Sequence, residues 1–216
     1  MFRLKEASPP MALLDFDALA RTPLETEPYE HLVVRDFVPR EHMKAVFESY
    51  PQIGLPGSFP LTTLSYGGVF ADLIAELDSP AFRASLEEKF GVDLTGKPTM
   101  FTARGQCRSE DGKIHTDSKT KILTVLLYLN DDWMTDGGRL RLLTNGEDIE
   151  AVAKEIPPDF GTLLVFKRSE KSWHGHLPYE GPRRAIQMNW VTSGRVKAWE
   201  QFRHKVSAAV KRGAAA

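Results

Sequence analysis

The segment Ile114-His115-Thr116-Asp117 sets an imidazole and a carboxylate two positions apart. In extended backbone such residues point the same way, so both could reach one metal ion. Taken alone, an H-x-D triplet reads as a polar pair in a surface loop, because such triplets arise often by chance. A second element, Ser172-Trp173-His174-Gly175-His176, lies between the apolar run 161–167 and a run opening with Arg183-Arg184. A third ligand from that element, on another strand of the same sheet, would complete two imidazoles and one carboxylate. Such a donor set leaves metal positions open and suits non-haem Fe(II) oxygen chemistry. His174 and His176 fall on the same side of an extended chain, so parity alone does not choose between them.

A cation and a phenol extend the constellation. From the strand after His174, the Arg184 guanidinium could pair bidentately with a dicarboxylate whose other end sits on the metal. Counting back from Trp190 at a period of two puts Arg184, Ile186 and Met188 on one face and turns Arg183 away, leaving it in reserve. A bulge would exchange the two arginines. Tyr128 shares its face with Ile122, Thr124 and Leu126 and could donate to the same carboxylate. Leu126, Ile186 and Met188 are expected to wall the site. Ser118, Lys119 and Lys121 read as solvated loop residues, although contact with an anionic substrate is open to them. Gly137-Gly138 supplies a sharp turn beside the site.

These side chains need strands to hold them, and the pattern after residue 91 provides them. The stretches 97–107, 121–130, 138–143, 161–167 and 184–192 are short apolar or alternating runs divided by turn clusters such as SEDGK, TNGED and PPDFG. Several short strands with Gly-rich turns point to a sandwich or jelly roll. Before them, residues 1–30 read as an irregular lead-in and 31–38 as a strand. Met43, Val46, Phe47 and Tyr50 recur at helical spacing, and 51–68 reads as loop. Helices are expected over 69–77 and from Pro80 to Phe90, the latter capped by Ser79 and stopped by Gly91. A basic helix is expected over 195–212, with Trp199 and Phe202 turned to the protein. The fold class is therefore α+β in a single domain: helical support over 31–96, a β core over 97–192, and a closing C-terminal helix.

Composition narrows the function. The 216 residues carry 28 Lys and Arg against 29 Asp and Glu, a net charge of −1. A general nucleic-acid or membrane-surface binder would be far more basic, so no nucleic-acid or membrane partner is expected. The single cysteine, Cys107, rules out an intramolecular disulfide and any cysteine cluster, and no partner set marks it as a nucleophile. With no apolar run of signal-peptide or membrane-span length, the expected location is cytoplasmic.

Together these residues resemble the 2-oxoglutarate/Fe(II)-dependent dioxygenases, in the branch holding the prolyl 4-hydroxylases. The resemblance runs from about Lys97 to Val191. It rests on His115-Thr116-Asp117, on Tyr128-Leu129-Asn130-Asp131-Asp132-Trp133, on Gly137-Gly138-Arg139-Leu140 and on the region from Phe166 to Trp190. Its H-x-x-x-P pattern is met by His174 with Pro178 and selects His174 over His176. The resemblance implies a double-stranded β-helix (jelly-roll) barrel. It also implies Fe(II) on His115, Asp117 and His174, with 2-oxoglutarate on Arg184 and Tyr128. Oxygen would then be used to hydroxylate an amino-acid side chain or small metabolite, releasing succinate and CO2. The intact carboxylate of Asp117 disfavours the related halogenase chemistry. The segment 104–113 lacks a tyrosine common in prolyl hydroxylases, which weakens transfer of their substrate. The rival reading is a non-catalytic jelly-roll module that binds a ligand or metal.

Overall fold

The computed structural model describes residues 12–194. The expected helix over 195–212 lies outside the described residues. Among the described residues, four α-helices precede most of the strands: α1 (Phe16–Arg21), α2 (Met43–Ser49), α3 (Gly68–Leu77) and α4 (Pro80–Phe90). Helix α4 begins where the Ser79 hydroxyl accepts the Phe82 N–H at 3.1 Å, and it ends at Gly91, whose φ of 58° suits a residue without Cβ. Helix α1 lies within the lead-in expected to be irregular. At six residues it is too short for a periodic pattern, and only Asp15, accepting from Ala18 N at 2.7 Å, marks its start. No described helix is long and apolar enough to cross a membrane.

The nine strands among the described residues pair antiparallel. The larger sheet contains β1 (His31–Val34), β2 (Phe59–Pro60), β3 (Thr99–Cys107), β4 (Lys121–Tyr128), β7 (Leu163–Lys167) and β9 (Gly181–Val191), in the order β1-β7-β4-β9-β3-β2. The smaller sheet orders β6 (Val152–Ile156), β5 (Leu140–Leu143) and β8 (His174–Gly175). Three of these strands escape the sequence pattern for physical reasons. Strands β2 and β8 have two residues each, too few to alternate, and β6 is mostly half-buried, with Lys154 and Glu155 interrupting any apolar run.

The larger sheet has two differently employed faces. On one, Leu123, Val125 and Leu127 of β4 and Ile186, Met188 and Trp190 of β9 pack with Leu73, Phe82 and Leu86 of the helices. On the other, Tyr128, Leu164, Phe166 and Ala185 meet Leu140, Leu142 and Ile156 of the smaller sheet. The result is a mixed α/β structure of mostly antiparallel sheets with helices on one side and the second sheet on the other. Side chains two apart on β4 and β9 therefore face either the helices or the space between the sheets.

Phe82 anchors the helical face, fully buried with its ring 5.9 Å from Phe37 and 6.2 Å from Trp190. Phe82→Ala is expected to lower unfolding free energy by about 3–5 kcal/mol. Ser79→Ala, which removes only the cap, is expected to cost about 1 kcal/mol. Urea titrations followed by circular dichroism measure both, and equal losses would contradict the packing described.

Candidate metal centre

The site is built by one backbone bridge. His115, in the connection between β3 and β4, pairs antiparallel with His174 of β8: each N–H donates to the other's carbonyl at 3.0 Å. This sets the two imidazoles side by side with centroids 4.3 Å apart. In each ring Nδ1 is satisfied by a backbone carbonyl, that of Lys113 at 2.8 Å for His115 and of Ser172 at 2.9 Å for His174. Since a carbonyl only accepts, Nδ1 carries the proton and the Nε2 lone pair is left for a metal. Burial, helped by the neighbouring His115 ring, holds the His174 pKa down to about 4, so the imidazole is neutral at ordinary pH.

Asp117 completes the set. Ligand atoms of His115, Asp117 and His174 all lie within 4.8 Å of one another. Lys121 Nζ donates to one carboxylate oxygen at 2.6 Å, and the Thr124 hydroxyl donates to the other. Burial would raise the pKa of Asp117, but the charge of Lys121 and these two hydrogen bonds prevail, leaving it lowered. Lys121 is thus not the solvated loop residue its sequence context suggested; its side chain is 12% exposed and paired with the acid. A divalent ion fits this chemistry: two imidazoles that each turn Nε2 to the site and one ionised carboxylate, converging and already oriented by backbone and side-chain partners.

A cavity opens beside the three donors. It is lined from β4 by Thr124, Leu126 and Tyr128, from β9 by Arg183, Ala185 and Gln187, and from β3 by Thr102 and Arg104. Arg183 is buried, lies 5.2 Å from the Tyr128 ring centroid and donates from Nε to the Gly138 carbonyl at 2.9 Å. Among the described residues no carboxylate pairs with its guanidinium, and the buried Tyr128 hydroxyl has no hydrogen-bond partner. Burial drives the Tyr128 phenol up against the opposing pull of the Arg183 charge, so it stays a protonated donor. The turn behind Arg183 needs glycine: at Gly138, with φ 78°, a Cβ would sit 2.8 Å from the Trp133 ring.

Arg184 is not in this cavity. Its guanidinium lies 5.1 Å from the Phe47 ring centroid, on the helix side of the sheet. The alternation is as expected, for Arg184 does share a face with Ile186, Met188 and Trp190. That face is the packed core, however, and Ile186 and Met188 pack with the helices rather than walling the site. The register shift between Arg104 and Gln106 of β3, which lies opposite Arg183 and Arg184, does not exchange the arginines; Trp190 simply points away from the three donors. Leu126 and Tyr128 lie where the pattern of β4 put them. His176 also lines the cavity but is not among the three converging donors. Its Nδ1 donates to the Leu177 carbonyl at 2.8 Å and its Nε2 lies 3.9 Å from Cys107 Sγ.

Other cavity residues are marked by the same alternation. Thr102 and Arg104 stand two apart on β3, and Gln187 stands two beyond Ala185 on β9. The alternation that selects Tyr128 would have selected them. Asn189, in turn, donates from its amide to the Thr124 hydroxyl at 2.8 Å and so backs the Asp117 carboxylate at one remove.

Residues 104–192 match the 2OG-Fe(II) oxygenase superfamily. Among solved structures, a Pseudomonas putida prolyl-4-hydroxylase aligns with a TM-score of 0.53 and 18% identity, over 82% of this chain and 97% of that one. The viral collagen prolyl hydroxylase of Paramecium bursaria Chlorella virus-1, in its 2OG complex, gives 0.53 and 14% over 77% and 99%. A Phytophthora capsici prolyl 4-hydroxylase gives 0.52 and 17% over 90% and 70%. A search of curated proteins returns no match. At such identities the likeness establishes the fold, and the matched segment contains His115, Asp117, His174, Tyr128 and Arg183. The three donors and the match to the 2OG-Fe(II) oxygenase superfamily thus fall on the same segment, 104–192, and the chain is similar in fold to the prolyl 4-hydroxylases.

Proposed function

We propose that this protein is a 2-oxoglutarate- and Fe(II)-dependent dioxygenase that hydroxylates an amino-acid side chain or small metabolite, its two sheets forming a double-stranded β-helix. One observation carries the reading: three converging donors with free lone pairs stand beside a buried arginine that has no carboxylate of its own. His115, Asp117 and His174 would hold the metal. Bound there, Fe(II) would supply the chemistry that turns O2, 2-oxoglutarate and a C–H bond into succinate, CO2 and a hydroxylated product.

The chain's own residues account for the rest. Arg183 and Tyr128 are assigned to the far carboxylate of 2-oxoglutarate, the guanidinium as its counter-ion and the phenol as a second donor. Arg184 gives up that role, because its side chain lies beyond the sheet. Leu126, Leu140 and Ala185 supply apolar walls that limit water near the reacting atoms. Lys121 and Thr124 keep Asp117 ionised and fixed in direction.

His174→Ala is expected to abolish both Mn(II) binding, measured by calorimetry, and succinate formation. His176→Ala should retain most of each, and the reverse ranking would overturn the ligand assignment. The arginines give a second test by anaerobic titration of the metal-loaded protein with 2-oxoglutarate. Arg183→Gln should weaken binding about 30-fold, the worth of hydrogen bonds to a charged group. Arg184→Gln should leave it within about twofold, as expected for a substitution away from the site. Equal effects at both positions would refute the assignment.

A further inference from the structure

We infer that the substrate of this site is itself a carboxylic acid, and that Arg104 receives its carboxylate. The inference rests on the dioxygenase reading above and adds the substrate class. Three adjacent positions across the larger sheet define the geometry. Ala185 of β9 is paired on one side with Tyr128 of β4 and on the other with Arg104 of β3. The alanine methyl leaves room above the strand, so the cavity extends both ways from it. One end holds Tyr128 and Arg183; the other holds Arg104, with Ser58, Thr102 and Gln187.

Charge separates the two ends. Asp117 is paired with Lys121 and Arg104 with Asp111, at 2.6 and 2.7 Å, while Arg183 has no carboxylate among the described residues. These five groups sum to one positive charge. A divalent metal and doubly charged 2-oxoglutarate cancel each other, so the loaded site keeps that charge. A substrate with a single carboxylate would neutralise it, and a neutral substrate would leave it uncompensated in a partly buried cavity.

Arg104 is the cation placed to respond. Lys121 is committed to the metal-binding acid and does not line the cavity, and Arg183 faces the end assigned to 2-oxoglutarate. At Arg104, Asp111 engages Nη1, whereas Nη2 has only a long 3.4 Å contact with Ser58 Oγ. The side chain is 23% exposed, accessible from the cavity yet held in direction by Asp111. A planar guanidinium anchored at one nitrogen is suited to a carboxylate at the other.

The test uses the full chain loaded with Co(II) and saturating 2-oxoglutarate without oxygen, with binding read from the cobalt absorption bands. Probes are free amino acids, hydroxy acids and acidic dipeptides, each beside its carboxamide. At least one acid is expected to bind, with its amide about 30-fold weaker, the scale of a lost charge-assisted hydrogen bond. The double variant Arg104→Gln/Asp111→Asn, which strands no carboxylate, should erase that difference while leaving 2-oxoglutarate affinity within about twofold. Arg104→Lys should retain part of it. Binding only of uncharged probes, equal binding of acids and amides, or no acid binding at all overturns the proposal. So does a loss of 2-oxoglutarate affinity in the double variant equal to that of Arg183→Gln, since Arg104 would then serve the cosubstrate. Failure of the unaltered protein to bind 2-oxoglutarate with metal would instead overturn the dioxygenase reading.

Discussion

Two imidazoles are brought within one ion's reach by a pair of backbone hydrogen bonds, and every other feature of the site is arranged around that bridge. His115 and His174 belong to segments far apart in sequence, and neither lies in a long strand. Their reciprocal N–H to carbonyl bonds fix the separation of the rings, while carbonyls at Lys113 and Ser172 fix which ring nitrogen is left bare. Ring orientation thus comes from main-chain groups, which cannot change protonation state. Only the third donor, Asp117, relies on side chains to hold it, and there the partner carries a full positive charge.

The larger sheet works as a partition because its two faces are packed against different things. Ile186, Met188 and Trp190 are committed to the helices, which leaves Arg183, Ala185 and Gln187 to face the second sheet. Arg183 is buried without a carboxylate, an arrangement whose energetic cost calls for a polar contact and an incoming anion. The Gly138 carbonyl supplies the contact. The same partition puts Arg184 on Phe47, where the cation lies against an aromatic face instead of an acid.

That partition also explains what could be read from the residues and what could not. Helix α4, with Ser79 and Gly91 at its ends, and the β core follow from caps and apolar spacing, which are local properties. The donors His115, Asp117 and His174 follow from residue type and spacing. Alternation likewise sorts Arg183 from Arg184 into opposite faces of β9. It cannot say which face meets the three donors, because that depends on where the helices pack, and a tryptophan is as well suited to a core as to a pocket wall. Counting from Trp190 therefore gave a sound parity and the opposite arginine. The burial of Lys121 is hidden from sequence for a related reason: it comes from a fold-back of the chain onto Asp117 four residues earlier, not from its own apolar context.

The backing of Asp117 carries a direction that no single contact reveals. Asn189 donates its amide to the Thr124 hydroxyl, so that hydroxyl is free to donate its one proton to Asp117. Asn189 accepts in turn from the Gln187 amide at 3.2 Å. Every donor in the chain points toward the carboxylate, and each bond polarises the next in the same sense. With Lys121 on its other oxygen, Asp117 is held as an anion without any metal, and each oxygen keeps a lone pair beyond the one already used. The network begins at Gln187, which lines the cavity opposite Thr102, in the part assigned here to substrate. A group that hydrogen-bonds Gln187 would thus act on the Asp117 carboxylate through three side chains and no movement of the backbone.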